Sequence, residues 1–172
     1  HALGSYGDDN GHNTFGLSAK NLVTLDKSSI TTTGQNGQEI DIMSGAVTLK
    51  NGTELTSRHI QLAAMGEYTG SDNDETMTMK NNTTANAVTV ADSNLTVTGS
   101  NSSSLNLGGG QINITGTSKV TAPVIYAAAG QQIIQARKDA SDKNPTYTYT
   151  ASERTSDAVQ ITRDETATVN GE

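Results

Sequence analysis

The chain has no cysteine and no tryptophan, only two prolines, and a single phenylalanine among its 172 residues. Without cysteine there is no disulfide scaffold and no thiol chemistry. Aromatic residues make up 3% of the chain, so an interior must be filled by Val, Ile, Leu and Ala rather than by large rings. Cations are also scarce: 11 Lys and Arg against 18 Asp and Glu, dispersed along a chain of net charge −7. Nucleic-acid binding needs clustered Lys and Arg, and that class is set aside. No apolar run approaches the roughly 18 residues that cross a bilayer, and no basic amphipathic helix is visible, so membrane insertion is not expected.

What the chain does have is a repeat. Val23, Leu25, Ile30, Gly34, Ile40, Ile42, Gly45, Val47, Leu49, Leu55, Ile60, Ala63 and Ala64 recur 65 residues later, without a gap. Their counterparts are Val88, Val90, Leu95, Gly99, Leu105, Leu107, Gly110, Ile112, Ile114, Val120, Ile125, Ala128 and Ala129. A long fixed period marks a tandem array. Within each copy the apolar residues come as pairs flanking one polar residue, as in Ile40-Asp41-Ile42, Val47-Thr48-Leu49 and Ile112-Asn113-Ile114. That is strand alternation, one side chain in and the next out.

The doublets return after 17 to 20 residues, with Val88 matched to Leu105, Leu95 to Ile112 and Ile40 to Ile60. Short strands at that spacing predict a parallel β-helix, an all-β solenoid with loop excursions. About 20 residues per coil gives about eight coils, hence a rod on the order of 40 Å long at ~4.8 Å per coil. A β-sandwich is the competing architecture, but it imposes no fixed coil length. The low apolar content, 33%, suits a narrow coil, and Thr, Asn, Ser and Gly fill the outward and turn positions. The whole of residues 1–172 reads as a single β-helical fragment. Its units are approximately 1–63, 64–129 and a truncated 130–172.

Three segments differ in length and charge while the strands around them keep their pattern: Gly4 to Asn13, Gly66 to Glu75 and Gly130 to Pro145. Each precedes a strand pattern that opens on Thr and sets apolar residues at its second and fourth positions, at Thr14–Leu17, Thr76–Met79 and Thr146–Tyr149. The segments read as loops on one side of the array, the first place to look for recognition. Tyr68 with Asp72 and Asp74, or Arg137 and Lys138 with Tyr147, are the candidate contact residues. Tyr offers a ring for stacking on sugars, and carboxylates accept hydroxyls. Helical spacing of Ile133, Ile134 and Arg137 predicts a short helical turn over Gln131 to Lys138. Ala158-Val159-Gln160-Ile161 aligns with Ala87-Val88-Thr89-Val90, and beyond Arg163 the pattern weakens, so the end is expected to fray.

Catalytic and metal chemistry find little support. Asp72, Asp74 and Glu75 are close enough to share a cation, but neither a twelve-residue ligand frame nor a glycine-aspartate nonapeptide surrounds them. No metal or cofactor is expected. The three histidines, His1, His12 and His59, have no base or orienter placed beside them. Asp41, Lys50 and Arg58 are the best enzyme candidates, as residues meeting on neighbouring coils. The second copy replaces them with Asn106, Thr115 and Pro123, and no enzyme is expected. Outward threonines at Thr31 and Thr33, Thr96 and Thr98, and Thr146 and Thr148 raise ice binding, which needs the pair at one place in every coil. Asp41, Asn106 and Asn113 interrupt that reading. Six Asn-x-Ser/Thr triplets follow from composition and leave glycosylation open.

The strings SSITTTGQNGQEIDIMSGAVTLKNGTELTSRHIQLAAMG and SNLTVTGSNSSSLNLGGGQINITGTSKVTAPVIYAAAG resemble the passenger repeats of filamentous haemagglutinin-like exoproteins of the two-partner secretion pathway. The resemblance covers most of Leu17 to Gly130. It implies a large secreted protein at a bacterial surface, exported through a dedicated outer-membrane transporter. It further implies a right-handed parallel β-helical rod that adheres to a host or bacterial cell-surface glycan or matrix protein, or that displays a distal domain. That family's amino-terminal secretion domain carries Asn-Pro-Asn motifs, whereas this chain has Asn144-Pro145-Thr146. The expectation is therefore a piece of the passenger rod. Autotransporter passengers share the geometry, and a polysaccharide lyase or hydrolase and a Thr-ladder ice-binding protein are the alternatives.

Overall fold

In a computed structural model the described residues are 12–33, 36–71, 74–79, 86–130, 132–138, 147–151 and 161–171. They form a parallel β-helix of five coils, each built from three short strands. The first coil is β1 (His12–Ser18), β2 (Leu22–Asp26) and β3 (Ser29–Thr31). The second is β4 (Asn36–Ser44), β5 (Ala46–Lys50) and β6 (Glu54–Ser57). In the third, β7 (His59–Ala64) is followed by an excursion, β8 (Glu67–Ser71) and β9 (Asp74–Met79), before β10 (Ala87–Ala91) and β11 (Asn94–Val97) complete the turn. The fourth is β12 (Ser104–Gly109), β13 (Gln111–Thr115) and β14 (Lys119–Thr121). The fifth begins with β15 (Val124–Ala129), makes a second excursion through β16 (Gln132–Lys138) and β17 (Tyr147–Ala151), and closes with β18 (Ile161–Arg163) and β19 (Thr168–Asn170).

Like strands stack in register into three parallel sheets of five strands, in the order β1-β4-β7-β12-β15 (sheet A), β2-β5-β10-β13-β18 (sheet B) and β3-β6-β11-β14-β19 (sheet C). The doublets supply the inward columns. Phe15, Ile40, Ile60, Leu105 and Ile125 line one column of sheet A, and Val23, Val47, Val88, Ile112 and Ile161 one of sheet B. Val88, Val90, Leu95, Leu105 and Ile112 are completely buried, and Val97, Leu107 and Ile114 nearly so. At ~25 cal/mol per Å² of apolar surface, each such side chain contributes about 1.5–3 kcal/mol.

The number of coils differs from the sequence expectation of eight, and the rod is correspondingly shorter, roughly 20 Å at ~4.8 Å per coil. Corner partners in adjacent coils without an excursion are 25 residues apart, as for Ser28 and Thr53 or Ser93 and Ser118. Where an excursion intervenes the step is 40 or more, as for Glu54 and Asn94. The 65-residue repeat is thus a two-coil unit. The matches of Val88 with Leu105 and of Leu95 with Ile112 joined strands of different sheets, since the true partner of Val88 is Ile112. Every face of the coil demands the same apolar-polar-apolar triplet, so the triplets alone do not tell neighbours around a coil from neighbours along the stack.

The corner between sheets B and C explains why the unit is two coils long. It is made by two residues in the first and third coils (Lys27-Ser28 and Asp92-Ser93) and by three in the second and fourth (Asn51-Gly52-Thr53 and Gly116-Thr117-Ser118). Each corner begins with a left-handed residue, Lys27, Asn51, Asp92 or Gly116, which turns the chain sharply. Each ends in a hydroxyl: Ser28, Thr53, Ser93 or Ser118. The Ser118 hydroxyl faces the carbonyls of Val90 (3.0 Å) and Thr115 (2.7 Å) and accepts from the Ser93 N–H (3.2 Å). Thr53 stands in the same relation to the carbonyls of Leu25 (3.0 Å) and Lys50 (2.9 Å) and to the Ser28 N–H (3.3 Å). A column of buried hydroxyls therefore satisfies backbone groups that the turn takes out of the ladders.

The excursions were expected to be loops, and Gln131 to Lys138 a helical turn. They are strands: β8, β9, β16 and β17 form one antiparallel sheet in the order β17-β16-β9-β8. Ile134 of β16 lies opposite both Met77 of β9 and Ala151 of β17. Pairing on both edges satisfies the backbone of β16, which a single helical turn does not do. Thr76–Met79 and Tyr147–Tyr149 therefore belong to this side sheet and not to the coil. Ile161 pairs with Ile112, the equivalent of Val88 rather than Val90, so the alignment at that point was two residues out of register. The final segment is held as β19 against β14 rather than frayed.

Candidate functional site

The rod offers three outer faces and a side sheet. On sheet A the polar residues between doublets stack into a column, Gly16, Asp41, Gln61, Asn106 and Tyr126, one per coil. Beside it runs a column of small side chains, Ala63, Gly108 and Ala128. Together they make an open trough of about 570 Å³ along the rod axis. Tyr126 stands on its wall with 63% of its surface exposed. A Cβ on Gly108 would meet nothing within 4 Å, so the floor of the trough is empty there. The wall amides are lightly engaged: Gln61 Nε2 lies 3.9 Å from Met43 Sδ, and Asn106 Nδ2 3.4 Å from Ser104 Oγ. Asp41 is half-buried one coil further on. Burial pushes its carboxyl above the usual carboxylate range, and its Oδ1 has no hydrogen-bond partner.

Sheets B and C carry threonine ladders. Thr31, Thr56, Thr96 and Thr121 stand in one column of sheet C, ending at Asn170. Thr24, Thr48, Thr89, Asn113 and Thr162 form one on sheet B. Asp41 and Asn106, taken as interruptions, lie on sheet A instead, so the ladder of sheet C is unbroken over four coils. It is a single column. Its neighbour on one side is Glu54, Asn94 and Lys119, a mixed charged row rather than a second threonine column. Thr148, taken as an outward rod residue, belongs to the side sheet.

The enzyme candidates do not converge. Lys50 ends β5 on sheet B and pairs with Asp26 at 3.3 Å, Asp41 lies on sheet A, and Arg58 precedes β7 at the corner between sheets C and A. Asp26 is also bound by Asn51 Nδ2 at 2.9 Å, and the hydrogen bond from Asn51, with Lys50, holds its carboxyl below the usual range. Asp92 accepts from the Thr117 N–H at 2.9 Å and Asp164 from the Gly116 N–H at 2.9 Å. The carboxylates at this corner thus bridge consecutive coils. Among the described residues no three His, Asp or Glu side chains gather as metal ligands.

The two contact clusters proposed from sequence meet in the side sheet. Asp74 of β9 lies opposite Arg137 of β16, Lys138 opposite Tyr147 of β17, and Tyr68 of β8 opposite Met77. Asp72 and most of Gly4 to Asn13 lie outside the described residues. The column of Gln61, Asn106 and Tyr126 was missed by sequence reasoning. The signal was available in the middle residues of the doublets, where the 65-residue offset sets Asp41 against Asn106 and Gln61 against Tyr126. Comparison of the chain with family models, curated proteins and solved structures returns no match.

Proposed function

We propose that this chain is an adhesive rod segment of a large secreted bacterial surface protein, of the filamentous haemagglutinin-like kind exported by a dedicated outer-membrane partner. The observation that carries the reading is the position of the two excursions. Both leave the corner between sheets A and B, one two-coil unit apart, at Gly66 and Gly130. The coil between them turns the same corner with Gly110 alone. A rod of constant cross-section repeats such projections along one side at a fixed spacing, which suits presentation of contact surfaces away from a cell. Tyr68, Asp74, Arg137, Lys138 and Tyr147 are the first contact candidates on the side sheet, with a cell-surface glycan or matrix protein as partner.

Beads coated with the fragment should adhere to epithelial or bacterial cells, or to immobilised matrix proteins, above beads coated with an unrelated β-protein. The fragment should release no reducing ends or unsaturated products from pectin, alginate or neutral glycans. Failure of the beads to adhere to any of these surfaces sinks the adhesive reading, and turnover lost in Asp41→Ala or Arg58→Ala replaces it with the enzyme. The unbroken ladder of sheet C supports ice binding as a second reading. Shaping or arrest of ice crystals by the fragment, abolished in Thr56→Ala/Thr96→Ala, would favour it.

A further inference from the structure

We propose that the trough on sheet A binds a neutral, extended polysaccharide lying parallel to the rod axis, with Gln61, Asn106 and Tyr126 as its contact residues. The inference rests on the adhesive reading and gives it a ligand class and a place. The wall carries one side chain per coil, and coils repeat at ~4.8 Å, close to the advance of one pyranose unit in an extended glycan. A glycan chain laid along the axis therefore meets an equivalent wall position at each sugar. The floor at Ala63, Gly108 and Ala128 is flat, and at Gly108 nothing projects within 4 Å of where a Cβ would stand.

Chemistry narrows the ligand further. An amide offers both donors and acceptors to adjacent hydroxyls, and the two on the wall make only long contacts of 3.9 and 3.4 Å. The exposed Tyr126 ring gives a face for the C–H side of a pyranose and a hydroxyl at its tip. None of the side chains lining the trough is charged. The nearest ionisable groups on the sheet are Asp41 in the wall column and Glu39 and His59 in the column beyond, and the chain as a whole carries −7. A sulfated or uronic-acid chain would meet repulsion rather than attraction, which leaves neutral hexose or acetamido-hexose polymers. Apolar ligands are disfavoured by the amides, which would lose water without gaining partners.

The test titrates the intact fragment with cellohexaose, chitohexaose and a heparin-derived hexasaccharide while backbone amide resonances are followed by NMR. The expected result is binding of at least one neutral hexasaccharide, with shifts centred on Gln61, Asn106, Gly108 and Tyr126, and no binding of the sulfated one. Tyr126→Ala should weaken binding about tenfold, the loss of a stacked ring with its hydroxyl contact. Gly108→Leu, which fills the trough from an open position, should abolish it. Thr96→Ala on sheet C should leave it unchanged. Asn106→Ala, a smaller change at a half-buried position, serves if Gly108→Leu loses the β-sheet circular dichroism spectrum. Absence of binding to both neutral probes overturns the proposal, as do shifts centred on the threonine ladders or the side sheet, or binding undiminished in Tyr126→Ala and Gly108→Leu. Bead adhesion measured on the same proteins separates the two failures. Beads that adhere while the trough is silent overturn only this inference, whereas beads that adhere to nothing overturn the reading on which it stands.

Discussion

At the scale of single residues, two aspartates respond to pH in opposite directions. Burial raises the Asp41 carboxyl, so the charged form is penalised in the folded chain. With the folded value above the unfolded one, its contribution is complete below the ordinary carboxylate range and is lost as pH rises through the folded value. Asp41→Asn should therefore melt higher than the parent at pH 7, and the gain should vanish on acidification to about pH 3. The repeat has already made this substitution, since Asn106 stands at the equivalent place. Equal melting temperatures of the two proteins at pH 7 would refute it. Asp26 behaves the other way, because Asn51 and then Lys50 lower its carboxyl. Its contribution is present above the ordinary range and lost as pH falls through the folded value, and solvent screening of the exposed pair keeps it small. The buried hydroxyls of the corner matter more. Ser118→Ala strands the Ser93 N–H and takes a hydroxyl donor from the carbonyls of Val90 and Thr115, the second of which keeps the Asp92 N–H; the change should cost about 1–3 kcal/mol. The check is a lower urea midpoint at unchanged m-value.

At the scale of the element, each strand is short and gains its stability from the strand above and below. Ile112 is wholly buried and lies between Val88 and Ile161. Ile112→Asp should cost about 3–5 kcal/mol, the penalty of an unpaired charge in the interior, and lower the urea midpoint accordingly. Turns are as demanding as strands. A Cβ at Gly45 would sit 2.5 Å from the Asn21 carbonyl and 3.0 Å from those of Lys20 and Gly66. All three are backbone atoms that cannot swing aside. Gly45→Ala should thus destabilise by about 1–3 kcal/mol while Gly108→Ala, open at its Cβ, stays within about 0.5 kcal/mol of the parent; parity of the two in urea unfolding would sink the argument. The doublets made these strands legible, because period-2 alternation survives in every coil. The identity of β16 was not legible. Ile133, Ile134 and Arg137 fit a helical spacing as well as a strand, and only the presence of β9 and β17 on its two edges decides between them.

At the scale of the whole molecule, the coil stack and the side sheet are separable in principle. Gly45, Asn86 and Gly110 occupy one position of the corner between sheets A and B, and two of the three need no excursion to turn it. Removing residues 65–85 and 130–159, with Asn86→Gly and a glycine at the second junction, should leave a stack with a β-rich circular dichroism spectrum and a cooperative transition. Its small-angle scattering should show a thinner cross-section. An unfolded product would mean that the side sheet, which ties the third coil to the fifth through β9 and β16, is needed to hold the rod together. That outcome would assign the excursions a staple's role in place of a display one.

Fold class, the inward residues and the existence of a tandem array are legible in the sequence alone. Each of these follows from local alternation and from a fixed offset, and both are written in one dimension. Coil number, sheet membership and the partners of each polar residue were decided only by tertiary structure. The triplet that makes a strand is the same on all three faces, so only the lengths of the corners assign a triplet to its face. That assignment brings Gln61, Asn106 and Tyr126 into one wall, sends Asp41 and Lys50 to different sheets, and sets Asp74 opposite Arg137 across two excursions that are separated in the chain by a complete coil.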